Sequence, residues 1–256
     1  MSRIVVKVGS NVLTRDDGMP DITMISSLVD QIAKLRSLGH EVILVSSGAV
    51  ACGRRLLKDA RTDNEVEQRQ LYSAMGQVRL IGLYFNLFRD HGIAMGQVLT
   101  MKGNFEPGRE LENQRNCMEV MLRNSVVPVV NENDTVCITE LMFTDNDELS
   151  GLIAGMMKAD CLILLTNVDG IYDSDPSLES ARVIPLVRPG DNLEQYISKK
   201  GSSLGRGGMQ SKCSTAQRLA AEGIKVMIAC GRRENILVDL VCSPRTTVLS
   251  EFDTTR

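Results

Sequence analysis

Short apolar runs recur along the chain, and most are followed by a polar or glycine-containing turn and then by apolar residues at helical spacing. Runs of this length, rich in Val, Ile and Leu, are typical of strands in a parallel sheet covered by helices on both faces. The pattern predicts an α/β fold, a three-layer α/β/α sandwich around a mainly parallel sheet. The runs predicted as strands are 3–8, 41–45, 93–99, 126–130, 161–165 and 225–229, with 246–249 closing an edge.

Helical periodicity predicts the layers that cover this sheet. One helix is expected to begin at an Asp21 cap and to end at Gly39. Further helices are predicted over 67–90, 111–123 and 148–157, and in the residues that lead to Gly223. The long helix 67–90 is expected to pack in the core or at a subunit interface through Leu71, Met75, Val78, Leu83 and Leu87. Residues 173–200 hold three of the seven prolines and are expected to be irregular.

Two polar clusters flank one segment in the middle of the chain. Residues 131–134, N-E-N-D, follow the apolar run 126–130, and residues 144–147, T-D-N-D, open the helical pattern 148–157. Open α/β sheets bind ligands beyond the carboxyl ends of their strands, so both clusters are candidates for one site. Carboxylates suit an ammonium group and asparagine amides suit a carboxylate, which together fit a small zwitterion. Each cluster alone is also compatible with a turn or a helix cap, where Asn and Asp are common.

Three further features are candidate anion contacts. Lys7 lies near the end of the first strand and precedes Gly9, where the backbone can approach a ligand; an edge-strand surface charge is the alternative. The segment 46–50, S-S-G-A-V, joins a strand to a helix start and can form a nest of N–H groups, or simply a tight turn. The glycine-rich segment 201–212 can cradle a phosphate, although such loops are more often surface loops. It is not a Walker A loop, because Ser211 precedes its final lysine.

Composition excludes several classes of protein. At 256 residues with no linker-like stretch, the chain is expected to form one domain over 1–256. The net charge of −3 gives no reason to expect nucleic acid, and no apolar run reaches the length of a membrane span. The first residues lack a signal-peptide pattern, and the seven cysteines have no C-x-x-C spacing. Reduced thiols in a cytoplasmic protein are therefore expected.

Histidine-based catalysis has little support in the sequence. The chain has two histidines, and neither a G-x-S-x-G motif nor a Ser or Cys partner pattern accompanies them. The chemistry is therefore expected to need little proton transfer. Phosphoryl transfer to a carboxylate fits, because a carboxylate is already ionised at neutral pH and requires no general base. That reaction needs two aligned anions and charge neutralisation, which two lysines and Mg²⁺ supply.

The motifs that carry these features resemble those of one family, in the same order. They are K-V-G-S-N-V-L at 7–13, V-S-S-G-A-V at 45–50, M-G-Q at 75–77, V-V-N-E-N-D at 129–134, D-N-D at 145–147 and G-R-G-G-M-Q-S-K at 205–212. Together they span nearly the whole chain and resemble the glutamate 5-kinase branch of the amino acid kinase family. The N-E-N-D and D-N-D pair is the specific part, whereas other members share the lysine–glycine start.

The resemblance implies an ATP- and Mg²⁺-dependent kinase that converts L-glutamate to L-glutamate 5-phosphate, the first step of proline biosynthesis. By matching motif, Lys7 and Lys212 neutralise the transferring phosphoryl group, and Asp147 orients both lysines. The residues implied to hold glutamate are Ser47, Gly48, Asn131, Asp134 and Asn146. The residues implied to contact ATP are Lys7, Thr166, Asn167, Arg206, Gly207, Gly208, Met209, Gln210, Ser211 and Lys212. No side chain is implied as a direct metal ligand, since the ATP phosphates carry the Mg²⁺.

The resemblance has two departures and several further implications. Asn167 stands where many relatives have aspartate, which leaves the nucleotide contact there open. Many members carry a C-terminal PUA domain, and the sequence ends at Arg256, just past the kinase fold, so no PUA domain is expected. The resemblance also implies a homodimer or homotetramer, feedback inhibition by proline, and delivery of the product to a glutamate 5-phosphate reductase.

Two alternatives stay open at this point. The first alternative is that the chain is another kinase of the same fold, with N-acetylglutamate, aspartate or UMP as its acceptor. Asp134 argues against an acetylated amine, and a UMP kinase needs more cationic residues around its acceptor phosphate. The second alternative is a non-catalytic nucleotide- or anion-binding protein. Such a protein is expected to have lost Lys7, Lys212 or Asp147, and all three are present.

Overall fold

The computed structural model describes residues 1–57, 59–136, 145–196, 208–244 and 247–254. The strands are β1 Arg3–Val8, β2 Glu41–Ser46, β3 Met95–Thr100, β4 Val127–Glu132, β5 Cys161–Thr166, β6 Leu186–Val187, β7 Lys225–Cys230 and β8 Ser250–Phe252. They form one eight-stranded sheet in the order β3-β4-β2-β1-β5-β7-β8-β6.

Most neighbouring strands run parallel, as the sequence predicts. β1 pairs with β2 and β5, β4 pairs with β2 and β3, and β7 pairs with β5, all in parallel. The exception is β8, which runs antiparallel to β7 and parallel to β6. The predicted edge strand at 246–249 is wrong, because the strand is Ser250–Phe252 and lies inside the sheet. The two residues of β6 take the edge instead, and so short a strand leaves no period in the sequence.

Helices cover both faces of the sheet. They are α1 Ser10–Leu13, α2 Ile22–Ser37, α3 Ala49–Leu56, α4 Glu65–Asp90, α5 Arg109–Arg123, α6 Asn146–Met156, α7 Met209–Ala221 and α8 Ile236–Cys242. Apolar side chains of α2, α4 and α8 share one buried core, and those of α5, α6 and α7 share another. β1 contributes Ile4, Val6 and Val8 to the first core and Val5 to the second. The three-layer α/β/α sandwich is confirmed.

The ends of some elements differ from the prediction where they approach the carboxyl edge of the sheet. β4 does not end at Val130 but continues through Asn131 and Glu132, and both side chains are buried. α7 begins at Met209, so the last four residues of the predicted loop 201–212 are helical. Polar residues at the end of an element make its boundary hard to predict from the sequence. A helix or strand can continue through them when other parts of the chain supply hydrogen-bond partners for their side chains.

The helix predicted to begin at Asp21 has the expected cap. The Asp21 side chain accepts a hydrogen bond from the Met24 backbone N–H at 3.1 Å, and Gly39 follows the last turn with φ of +89°. No helix within the described ranges is both long and apolar enough to cross a membrane.

The apolar face predicted for α4 is only partly right. Val78, expected to pack, is 71% exposed, and Leu71 is half-buried. The buried stripe recurs at every fourth residue and consists of Tyr72, Gly76, Leu80, Tyr84 and Phe88. Three of these five residues are glycine or tyrosine, so a pattern search based on aliphatic residues alone misses the stripe.

Two glycines bring α3 and α4 together. A Cβ added at Gly53 would overlap the carbonyl of Tyr72, and one added at Gly76 would overlap the carbonyl of Ala49. The two helices therefore pack backbone against backbone at this crossing. This matters for the site, because α3 starts directly after the 46–50 turn and α4 supplies polar side chains to the same edge.

Candidate active site

The order of the strands opens a crevice next to β1. β2 lies on one side of β1 and β5 on the other. β4 and β3 extend the sheet outward beyond β2, and β7, β8 and β6 extend it outward beyond β5. A switch of this kind leaves a crevice at the carboxyl edge, where α/β proteins bind ligands. Lys7 lies in register with Val45 of β2 and Leu164 of β5, near the carboxyl ends of all three strands.

Asp147 lies between two lysines in this crevice. It is in the first turn of α6 and is fully buried. Lys7 Nζ is 2.5 Å from Oδ1, and Lys212 Nζ donates to Oδ2 at 2.9 Å. Both lysine side chains are buried as well, one from β1 and one from the first turn of α7. The structure thus brings together the three residues predicted to be catalytic, and their roles in catalysis stay predictions.

Charges within the Lys7–Asp147–Lys212 triad shift the pKa values of Asp147 and Lys7. Burial alone raises the pKa of Asp147, but the two lysine charges more than offset it and hold that pKa below its ordinary 3.8. Burial lowers the pKa of Lys7 below its usual 10.5; Asp147 opposes this shift and Lys212 adds to it. With all three residues ionised, the triad carries one net positive charge. A buried positive charge at a sheet edge suits an anionic group such as a phosphoryl oxygen.

Asn146 connects three of the residues predicted to hold glutamate. Its Nδ2 donates to Ser47 Oγ at 2.9 Å and to Asn131 Oδ1 at 3.0 Å. Asn131 Nδ2 donates in turn to Gln77 Oε1 of α4 at 2.9 Å. The carboxyl ends of β2 and β4 and the start of α6 are therefore linked by one amide network, which offers donors and acceptors to a small polar ligand.

The turn between β2 and α3 has the backbone geometry expected of an anion contact. Gly48 caps α3 with φ of +107°, a left-handed conformation that is strained for any residue with a side chain. The Ser47 backbone N–H donates to the Val8 carbonyl at 3.1 Å, which holds the turn against the end of β1. α3 begins directly after this turn, so its N-terminal N–H groups start at the carboxyl end of β2, where anion sites are found in α/β proteins.

Asp134 is buried, and its oxygens already have partners within the protein. Arg69 Nε donates to Oδ1 at 2.7 Å, and Ser73 Oγ donates to Oδ2 at 2.9 Å. Arg69 also donates from Nη2 to Glu132 Oε2 at 2.8 Å. The sequence places Asp134 against a substrate ammonium but does not predict this charge cluster of Arg69, Glu132 and Asp134.

Three polar residues of α4 are missing from the predicted site. Arg69, Ser73 and Gln77 lie at every fourth position, so they project from one side of the helix towards the residues that end β4. The signal was present as a polar stripe at i, i+4 and i+8, parallel to the apolar stripe of the same helix. Gln77 also belongs to the M-G-Q motif that contributes to the family resemblance.

Of the residues predicted to bind ATP, Thr166, Asn167 and residues 208–212 lie on the other side of β1. Thr166 ends β5, and its Oγ1 donates to Oδ1 of the exposed Asn167 at 3.3 Å. Residues 208–212 form the cap and first turn of α7, next to the buried triad. Arg206 and Gly207 lie outside the described residues.

The described residues offer no ready set of metal ligands. Among them, no group of three or more His, Cys, Asp or Glu side chains converges as a metal site. Asp147 faces a lysine with each oxygen. Asp145 caps α6 through Oδ1, while its Oδ2 is buried without a hydrogen-bond partner in the described part of the chain.

Comparison with known proteins agrees with this geometry. The model of the amino acid kinase family matches residues 2–230. The chain belongs to the amino acid kinase family. This amino acid kinase is 57% identical over 251 residues to a curated glutamate 5-kinase of Bacteroides thetaiotaomicron. The match covers 98% of this chain and 70% of that relative. It is 40% identical to a glutamate 5-kinase of Symbiobacterium thermophilum over 92% of the chain and 90% of the relative. The chain spans 65% and 63% of the length of two further curated relatives.

A solved structure shares the fold of this amino acid kinase. The crystal structure of an isopentenyl phosphate kinase substrate complex superposes with a TM-score of 0.71 at 15% sequence identity. The match covers 98% of this chain and 100% of the other. At that identity the likeness establishes the three-layer architecture and says nothing about the acceptor substrate.

Proposed function

We propose that the chain is an ATP-dependent kinase that phosphorylates the side-chain carboxylate of L-glutamate. The product is L-glutamate 5-phosphate, and the reaction is the first step of proline biosynthesis. The observation that carries the proposal is the buried Lys7–Asp147–Lys212 triad beside a pocket of amides and carboxylates at one sheet edge. The curated glutamate 5-kinases to which the chain is similar support the choice of glutamate.

In this proposal the pocket on the β4 side holds the amino acid. Asp134 pairs with the α-ammonium, because it is a buried carboxylate in a cluster of two carboxylates and one guanidinium. Asn131, Asn146 and the Ser47–Gly48 turn supply neutral donors that orient the rest of the molecule. The side-chain carboxylate then points towards the two lysines.

The reaction requires no proton transfer at the acceptor. An oxygen of the ionised side-chain carboxylate attacks the γ-phosphorus of ATP, and the bond to the β,γ-bridging oxygen breaks as ADP leaves. Lys7 and Lys212 neutralise charge on the transferring group, and Asp147 holds both ammonium groups in position. A unit charge pair at about 4 Å is worth about 4 kcal/mol at an effective dielectric near 20, so each lysine matters.

ATP is proposed to lie on the β5 side of the crevice, against Thr166, Asn167 and the segment 206–212. Mg²⁺ is proposed to arrive with ATP, bound mainly by its phosphates, since the described residues provide no cluster of metal ligands. The bound ion adds positive charge at the phosphates. In this proposal Lys7 and Lys212 also place positive charge near the phosphates.

The test is formation of an acyl phosphate that depends on both ATP and Mg²⁺, trapped by hydroxylamine as a hydroxamate. The panel contains L-glutamate, N-acetyl-L-glutamate and L-aspartate, with ADP release measured on UMP in parallel. Hydroxamate from L-glutamate alone is expected. Turnover of another acceptor instead would refute the assignment of Asp134 to a free ammonium. No turnover of any acceptor would favour a nucleotide- or anion-binding protein.

Several further properties are proposed together with this function. They are a single kinase domain over 1–256, assembly into a homodimer or homotetramer, inhibition by proline, delivery of the product to glutamate 5-phosphate reductase, and a cytoplasmic location. Light scattering coupled to gel filtration tests the assembly, where a monomer at working concentration would contradict it. Proline titration in the hydroxamate assay tests the inhibition, where an unchanged rate would contradict it.

A further inference from the structure

Arg69 is a largely buried cation beside the proposed amino acid site, and the proposed function gives it no role. Its guanidinium contacts two carboxylates, Glu132 and Asp134, and the three side chains are 21%, 4% and 5% exposed. Two carboxylates and one guanidinium sum to one negative charge. A negative charge of this kind, summed over these three side chains, has the sign that suits an ammonium at Asp134.

The contacts of Arg69 leave part of its guanidinium available. Nε and Nη2 are used by Asp134 and Glu132. Nη1 has no partner among the described residues, and it carries two of the five N–H donors of an arginine side chain. The side chain is also the most exposed of the three in the cluster. A ligand bound beside Asp134 can therefore meet guanidinium donors that the described residues do not use.

The two buried lysines cannot serve both ends of the substrate. Lys7 and Lys212 are paired with Asp147, where the phosphoryl group transfers. Ser47 contacts Asn146, the neighbour of Asp147, and so lies towards the same end. An amino acid whose side-chain carboxylate reaches that end has its α-carboxylate at the other, and Arg69 is the cation in contact with Asp134 there.

We propose that Arg69 is a specificity-determining residue whose Nη1 binds the α-carboxylate of the substrate while Asp134 binds the α-ammonium. The inference rests on the proposed function. An α-amino acid has these two groups on one carbon, and an Arg–Asp pair presents the complementary charges side by side. The existing ion pair also keeps both side chains in position before the substrate arrives, which reduces the cost of binding.

The experiment compares L-glutamate with L-isoglutamine, in which a neutral amide replaces the α-carboxylate while the α-ammonium and the side-chain carboxylate are kept. kcat and KM are measured for both acceptors with the wild type, Arg69→Gln and Arg69→Lys. The control is Arg89→Gln, because Arg89 is an exposed arginine at the end of the same helix. Where an acceptor turns over too slowly, its inhibition constant against L-glutamate replaces KM.

The wild type is expected to prefer L-glutamate by at least about 30-fold in kcat/KM, in line with the loss of a charge-assisted hydrogen bond. Arg69→Gln is expected to lower kcat/KM for L-glutamate about 30- to 100-fold, mainly through KM. It is expected to lower kcat/KM for L-isoglutamine clearly less, because that acceptor loses only the positioning of Asp134. Arg69→Lys is expected to regain part of the preference, and Arg89→Gln to change neither value.

Other outcomes overturn the inference. Equal losses for both acceptors in Arg69→Gln show that Arg69 acts only by holding Asp134 or the fold. An unchanged preference in that variant, or no preference in the wild type, shows that the α-carboxylate does not meet Arg69. Failure of the proposed function looks different, because the wild type itself then forms no hydroxamate from L-glutamate. Circular dichroism and thermal melting confirm that each variant is folded.

Discussion

Asp147 keeps two ammonium groups in one buried crevice, although like charges at short range repel. Lys7 and Lys212 each face one of its oxygens, so their separation is set by the width of a carboxylate. With all three residues ionised, the triad keeps one net positive charge, which an anionic group stabilises further. This is the arrangement that the proposed phosphoryl transfer requires, and it uses no histidine.

Lys212→Ala is predicted to lower kcat about 100- to 1,000-fold while KM for L-glutamate changes only a few-fold. The reason is that Lys212 is proposed to contact the transferring group, while its observed partner is Asp147 and not a residue proposed to bind glutamate. The control is Lys225→Ala, since Lys225 begins the next strand along the chain and pairs with Glu251 at the surface. Unchanged turnover in Lys212→Ala would remove this lysine from the mechanism.

Asp147→Asn is predicted to move the alkaline limb of kcat to lower pH. The pKa of Lys7 is already lowered from 10.5 by burial, and Asp147 opposes that shift, so losing the carboxylate lowers the pKa further. Loss of the Lys7 charge as pH rises then occurs earlier than in the wild type. A pH–rate profile of both proteins checks the sign. An alkaline limb at unchanged pH contradicts the role of Lys7 charge in turnover.

The same variant is predicted to be less stable. Removing one partner of a buried ion pair leaves two buried ammonium groups without a counter-charge, which costs about 3–5 kcal/mol. Because the folded pKa of Asp147 lies below 3.8, its stabilising contribution is complete above that pH and is lost only as pH falls further. Urea unfolding of both proteins at pH 7 measures the difference. Equal midpoints would show that the triad contributes nothing to stability.

Single residues differ in how far the sequence predicts them. Lys7, Asp147 and Lys212 each lie at the end or start of a periodic segment, where a polar residue stands out from its neighbours. Arg69 lies within a long helix among other charged residues, and its partner Asp134 is 65 positions away. Arg69 and Asp134 meet only because α4 packs against the end of β4, and no local sequence pattern predicts that contact.

At the scale of elements, the crossing of α3 and α4 positions residues of the proposed amino acid pocket. α3 follows the Ser47–Gly48 turn, and α4 carries Arg69 and Ser73, so any separation of the helices moves both walls. The sequence predicts α4 from its length and periodicity, but it predicts the buried face of the helix only in part. The close approach depends on Gly53 and Gly76, and a missing side chain gives no hydrophobic signal.

Gly76→Ala is predicted to destabilise the protein by about 2–4 kcal/mol and to raise KM for L-glutamate, because a Cβ there overlaps the carbonyl of Ala49. Gly82→Ala is the matched control in the same helix. A Cβ at Gly82 meets nothing within 4 Å, so alanine is expected to stabilise by about 0.5–1 kcal/mol through its helix propensity. Chemical denaturation of both variants checks the opposite signs. Equal effects would show that the crossing is not tight.

At the scale of the whole molecule, strand order separates the two proposed substrates. The residues proposed for glutamate lie at or just after the ends of β2 and β4 or begin α6. The described residues proposed for ATP, apart from Lys7, lie at the end of β5 or at the start of α7. Lys7 is on β1, between the two halves. The alternation of strands and helices predicted the sheet and its parallel direction, but not the order of strands, since several orders satisfy the same pattern. The structure therefore explains why motifs far apart in the chain serve one crevice.

This separation predicts independent binding. Each ligand at 100 times its Kd is expected to stabilise the wild type by about 2.7 kcal/mol, or roughly 5–10 °C in Tm. Asp134→Asn is expected to lose the shift from L-glutamate and to keep the shift from MgATP, each measured against its own ligand-free Tm. Asp253→Asn, at an exposed position, is the control and is expected to keep both shifts. If Asp134→Asn loses both, the two halves of the crevice are not separate sites, because a change at the end of β4 has then reached the nucleotide side of β1.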